Sequence, residues 1–156
     1  MSHGTKENGH EMLYLAIDPG ETTGWCRFQD ETPIEFAEVH PKEEFYEWLF
    51  GQNPGDYPYD AVVAEQYIIR PPKAGGFDHQ WGKVPTLRVL GALEAFCTIR
   101  HIPLHYQNSY ILTVAATRFG LPHPKNRSLP QRNAISAMLH GRWWWYREGA
   151  QLMSSN

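Results

Sequence analysis

Apolar and polar positions along this chain change period several times, and each change marks an element. LYLAID (residues 13 to 18) is a short apolar run that ends on Pro19-Gly20, as a buried strand stopped by a tight turn does. GWCRFQD and IEFAEVH continue as strands, separated by residues 30 to 33, so the first three strands are expected to form an antiparallel meander. Residues 41 to 50, PKEEFYEWLF, shift to helical spacing, with Phe45, Trp48 and Leu49 on one face and proline where a first turn tolerates it. AVVAEQYII then returns to a continuous apolar run. A helix between two such strands implies a crossover to a parallel partner.

RPPKAGGFDHQWGK mixes Pro, Gly and cations without periodicity, as a surface loop does. Residues 84 to 100 place Leu87, Leu90, Gly91, Glu94 and Ala95 at helical spacing, and IPLHYQ is a further short strand. Asn108 and Ser109 are expected to cap a helix reaching Phe119, with Gly120 as its stop. LPHPKNRSLP is another loop, and a last helix is expected over residues 131 to 146. The order β-β-β-α-β-α-β-α-α predicts an α/β protein: a mixed five-stranded sheet with helices on both faces. Residues 1 to 11 are polar and are expected to be a disordered leader, leaving one domain over residues 12 to 150.

A chain of 156 residues with 42% hydrophobic content is long enough for one packed core. It has no run of about 18 apolar residues and its opening stretch lacks the apolar segment of a secretory signal. The expectation is a soluble cytoplasmic protein with no membrane contact. Cys26 and Cys97 stand far apart without CxxC or Cys/His clustering, which suggests two buried thiols rather than a disulfide or a zinc site.

Charge changes the picture more. The net value of -3 hides a division: residues 1 to 66 hold 3 of the 14 Lys+Arg but 14 of the 17 Asp+Glu. An acidic metal-holding half joined to a basic phosphate-contacting half accounts for this, as does an acidic surface helix beside ordinary basic ones.

Two acids stand at strand ends. Asp18 closes the first strand before Pro-Gly, and Glu65 closes the run VVA. Taken singly, Asp18 reads as a turn former and Glu65 as an exposed strand-end acid. Taken together, at the ends of strands expected to be neighbours, they suit a magnesium site, because Mg²⁺ prefers carboxylate oxygens and keeps several waters. Two such ions roughly 4 Å apart can activate a water and stabilise the leaving oxygen of a phosphodiester, which is nuclease chemistry.

At these residues the sequence resembles the RuvC-like Holliday-junction resolvases of the ribonuclease H-like superfamily, particularly the short forms found in phages. LAIDPGETTGW resembles the family's first-strand motif, with Asp18 as the first metal ligand and Thr22, Thr23 and Gly24 entering the second strand. VVAEQYI resembles its second acidic motif, with Glu65 as ligand and Tyr67 where an aromatic often meets the DNA strand. LRVLGALEAF is similar to the long helix that follows, and HYQNS to the strand end leading into a basic segment. The resemblance covers residues 12 to 146. It implies a ribonuclease H-like fold, hydrolysis of branched DNA such as four-way junctions, two Mg²⁺ (or Mn²⁺) ions, a homodimer and, for a phage protein, the host cytoplasm.

The departure lies in the last helix, where the family usually carries an aspartate and often a further acid or histidine one turn earlier. The matching positions here are Asn133 and Pro130. Asparagine offers a neutral carbonyl and holds a dication less firmly than a carboxylate. Three explanations stand side by side: catalysis disabled by substitution, a natural binder of branched DNA without turnover, or an active enzyme using Asn133 with His140 or waters.

Arg70, Lys73 and Lys83 flank the loop after Glu65, where they are placed to contact phosphates, and Lys125, Arg127 and Arg132 could extend the same track. Solvation alone explains these charges equally well. Trp143, Trp144, Trp145 and Tyr146 cannot all face one core from an α-helix, so core capping or dimer packing is expected ahead of base stacking. His79, His101, His105 and His123 show no metal-ligand spacing. An actin-like ATPase also opens with a strand ending in Asp and a Gly/Thr turn, but needs two such lobes, more than 156 residues supply.

Overall fold

In the computed structural model, residues 11 to 67 and 82 to 154 are described. All but the last residue of the expected leader, and the part of the Gly/Pro loop that holds Arg70 and Lys73, lie outside the described residues. Five strands, β1 (Leu13–Asp18), β2 (Thr23–Gln29), β3 (Thr32–Val39), β4 (Ala61–Glu65) and β5 (Leu104–Gln107), form one sheet in the order β3-β2-β1-β4-β5. β1, β2 and β3 pair antiparallel, whereas β4 is parallel to β1 and β5 to β4. The mixed five-stranded sheet expected from the pattern is present. β4 ends at Glu65, as expected, and beyond it the Gln66 N–H still donates to the Gln107 carbonyl at 2.7 Å.

The sheet is covered on both faces because β1 is apolar on both. Leu15 and Ile17 face one core, shared with Phe45 and Leu49 of α1 (Lys42–Gly51) and with Val89, Leu93 and Phe96 of α2 (Val84–Arg100). Tyr14 and Ala16 face the other, shared with Cys26, Phe28, Val63 and, from α4 (Arg132–Trp144), Ala137 and Trp144. α3 (Ile111–Phe119) packs Ile111, Ala115 and Ala116 against Leu139 of α4. Gly120 ends α3 in the left-handed region at φ 66, as expected. The capping differs from the expectation: Tyr110 occupies the cap position without a side-chain bond, and Asn108 acts one step earlier by accepting the Tyr110 N–H at 3.1 Å. Cys26 and Cys97 are buried free thiols.

The last helix runs further than residue 146. After α4 a π-helical turn (Trp145–Gly149) leads into α5 (Ala150–Ser154). Just before and at this turn, Trp144 is buried beside Tyr14 and Trp145 stacks on the same ring at 6.1 Å. Trp143 is half-buried and Tyr146 is exposed. Most of this aromatic cluster therefore caps the core. Among the described residues, no helix is long and apolar enough to cross a membrane.

Candidate active site

The strand registers place a row of side chains along one edge of the sheet. Gly24 of β2 pairs with Glu38 of β3 and with Asp18 of β1, the Ile17 to Ala64 pairing brings Glu65 of β4 next to Asp18, and Glu65 pairs with Gln107 of β5. Strand alternation puts Asp18 on the face of Ala16 and Glu65 on that of Val63, which is the face covered by α4. Two carboxylates from adjacent parallel strands, whose backbones lie roughly 4.8 Å apart, thus converge under one helix.

α4 crosses this row and meets it repeatedly. At its start the Asn133 N–H donates to Glu38 Oε1 at 3.0 Å, so a β3 carboxylate satisfies one of the free donors of the helix N-terminus. The Asn133 backbone lies so close to β2 that a Cβ on Gly24 would stand 2.0 Å from its carbonyl. One turn on, Ser136 faces Asp18 closely enough to draw its pKa down. Its buried Oγ nevertheless completes no hydrogen bond of ordinary length. Another turn on, the fully buried His140 places Nε2 2.8 Å from Glu65 Oε2. Gln107 Nε2 lies 2.8 Å from the His140 carbonyl and 3.2 Å from its Nδ1.

Burial first, and the neighbouring charge of Glu65 second, push Asp18 up to about 8, against the opposing pull of Ser136, Lys83 and Arg132. Two adjacent acids that cannot comfortably ionise together are what a hard dication relieves. The donor set fits such an ion: two carboxylates and the neutral oxygens of Asn133 and Ser136, the Ser136 hydroxyl being buried without a partner. Among the described residues, no three Asp, Glu, His or Cys side chains gather at one point.

The acids open into a cleft of about 820 Å³, lined also by Lys83, Tyr110, Thr113, His123, Lys125, Arg132 and Asn133. Of the expected site residues, the cleft gathers Asp18, Glu65, Asn133, Lys83, Lys125 and Arg132. Arg127 is exposed outside its lining. Tyr67 lines a neighbouring groove with Leu87, Leu90, Gly91 and Tyr106. Glu38, Gln107 and Ser136 were not anticipated. The one local hint was the spacing of Asn133, Ser136 and His140, polar residues at i, i+3 and i+7 on a helix face otherwise filled by Ala134 and Ala137.

A mixed sheet with this order, covered on both faces and carrying acids at the ends of β1 and β4, is the ribonuclease H-like fold. Among solved structures, the chain is similar to "T. thermophilus RuvC in complex with Holliday junction substrate", with a TM-score of 0.59 and 13% identity over 90% of this chain and 96% of that one. It is also similar to "Thermus thermophilus RuvC structure", with a TM-score of 0.55 and 13% identity over 89% of this chain and 97% of that one. At that identity the likeness is one of fold. No protein-family model and no curated protein matches the sequence.

Proposed function

We propose that this chain is a structure-selective endodeoxyribonuclease that resolves four-way junctions or other branched DNA by metal-dependent hydrolysis. The observation that carries the reading is the convergence of Asp18 and Glu65, from adjacent parallel strands, at the floor of a cleft rimmed by Lys83, Lys125 and Arg132. The RuvC structure with a junction substrate supports the choice of DNA.

Asp18 and Glu65 are the residues that would hold a divalent cation, with Asn133 as a neutral third ligand. When bound, such a cation polarises a phosphoryl oxygen and acidifies an attacking water. Lys83 and Arg132 stand close enough to Asp18 to act on its charge, and so hold a backbone phosphate over the two acids. Lys125, Tyr67 and the more distant Arg127, with Arg70 and Lys73, extend the contact along the strand. A homodimer matches the near-twofold symmetry of a four-way junction, one cleft per cut strand.

A second reading is a branched-DNA-binding protein of the same fold without turnover. It is favoured by α4, which brings Asn133, Ser136 and His140 to the acids and no carboxylate. Incubation of a synthetic four-way junction with Mg²⁺ or Mn²⁺ separates the two. Paired nicks that are lost in Asp18→Asn and Glu65→Gln are expected of the nuclease, while tight binding without nicks identifies the binder. Asn133→Asp is expected to raise Mg²⁺-dependent cleavage by adding charge at the third position. Equal or lower cleavage in that variant refutes the assignment of Asn133 as a ligand.

A further inference from the structure

His140 is a fully buried imidazole that touches neither the cleft nor solvent, yet it sits 2.8 Å from an oxygen of Glu65. A buried ring of this kind is oriented by whatever occupies its second nitrogen. Here that neighbour is Gln107, whose Nε2 can only donate. A donor at Nδ1 makes that nitrogen an acceptor and leaves the proton on Nε2, from which it is donated to Glu65 Oε2. Gln107 is itself fixed, because the same amide also donates to the His140 carbonyl at 2.8 Å. The relay Gln107 to His140 to Glu65 links β5, α4 and β4, and each link is set by backbone register or by helix packing.

The consequence concerns how the site can hold metal. Glu65 has two oxygens, and His140 donates to one of them, using one of its lone pairs and favouring the other oxygen for a cation. Two dications would bring four positive charges to Asp18 and Glu65, with Lys83 and Arg132 already acting on the same pocket. The other acids near the cleft are engaged elsewhere, Glu21 with Lys42 at 3.2 Å and Glu38 with the Asn133 N–H at 3.0 Å. One dication, by contrast, is balanced by the two acids and completes its shell with neutral oxygens and water.

We propose that His140 is a positioning residue that commits one oxygen of Glu65, so that the site takes a single divalent cation instead of a pair. This rests on the metal-dependent reading of the cleft. The role is that of an outer partner that orients a ligand, whose removal costs about 10- to 100-fold in metal affinity.

Calorimetric titration of the full chain with Mn²⁺ tests it, with thermal melting of each variant as the control for folding. The expected result is one ion per chain for the natural protein. Affinity should be about 10-fold or more weaker in His140→Leu, and within roughly 3-fold of the natural value in His140→Gln, which keeps a donor. If His140→Leu fails to fold, Gln107→Met serves in its place. It frees the imidazole tautomer without emptying the core, and affinity should fall by about 3- to 10-fold. Two ions per chain, or unchanged affinity in His140→Leu or in Gln107→Met, overturns the inference alone. No Mn²⁺ binding by the natural chain overturns both the inference and the metal-dependent reading beneath it.

Discussion

At the scale of single residues, Asp18 carries the sharpest conflict between stability and chemistry. Its carboxyl is held up at about 8, first by burial and then by Glu65, whereas in the unfolded chain it ionises near the usual carboxylate value of 3.8. Between those values the folded protein keeps a proton that the unfolded chain has released. The stabilising contribution is therefore complete below pH ~4, declines as pH rises toward 8, and is gone above it. Asp18→Asn, which never ionises, escapes the decline. In metal-free buffer the melting temperature of this variant should overtake that of the natural protein progressively between pH 5 and 9. The eventual difference in unfolding free energy should be on the order of a few kcal/mol. A gap that stays constant across that range would show that Asp18 is ordinarily ionised in the fold. Added Mg²⁺ should narrow the difference at high pH, because it favours the ionised form of the natural carboxyl.

At the scale of elements, the site exists because α4 lies close to β2, and the closeness depends on glycine. A Cβ on Gly24 would stand 2.0 Å from the Asn133 carbonyl group, and one on Gly141 2.3 Å from the Phe28 ring. Backbone cannot yield as a side-chain tip can, so Gly24→Ala must lift the N-terminal turn of α4 off the sheet. The expected cost is about 3 kcal/mol or more, read by denaturant unfolding, together with loss of the Glu38 contact to Asn133. Gly91, in α2, has nothing within 4 Å of its would-be Cβ, and Gly91→Ala should stabilise by about 0.5–1 kcal/mol. Equal effects at the two positions would sink the claim that α4 is seated by Gly24. This element scale is also where legibility in the sequence divides. β1 and α1 were readable because each buries residues at a period that the chain displays locally, whereas α2 was readable as a helix but buries Val89, Leu90, Leu93, Phe96 and Cys97 and leaves Gly91, Glu94 and Ala95 of the expected row exposed. Asp18 and Glu65 were readable because a charge at the end of an apolar strand invites a reason. Glu38 and Gln107 were not, since their roles arise only when five strands are laid side by side in register. The π-helical turn after α4 was hidden for a related cause, since nothing local in the sequence announces the wider turn.

At the scale of the molecule, the uneven charge of the chain becomes a geometry. α3 and α4 both start at the cleft, where Ser109, Tyr110 and Leu112 meet Arg132 and Asn133. Both end at its far side, where Arg118 lies 3.9 Å over the Tyr146 ring and Arg142 lies 4.7 Å over Phe119. By helical rise Arg142 stands roughly 15 Å along α4 from Arg132. Cations therefore stand at the cleft mouth and again at the end of the two helices, while many of the acids of residues 1 to 66 belong to β3 and α1. Buried Arg27 does not join this track: it is 3% exposed, bonded to Tyr59, Glu35 and Gln52, and stacked 3.7 Å over Tyr57. If DNA runs along the cleft, its affinity should be dominated by counterion release, so junction binding by the non-cleaving Asp18→Asn protein should fall steeply with salt. Each phosphate contact removed should lower that log-log slope by about 1 and weaken all sequences alike. Arg132→Gln and Lys125→Gln, placed in the Asp18→Asn background, are thus expected to reduce the slope by about 1 each, and Arg27→Gln to leave it unchanged while lowering the melting temperature. A slope indifferent to Arg132 and Lys125 would mean that DNA approaches by another face, and the two acids would then lack the substrate their convergence implies.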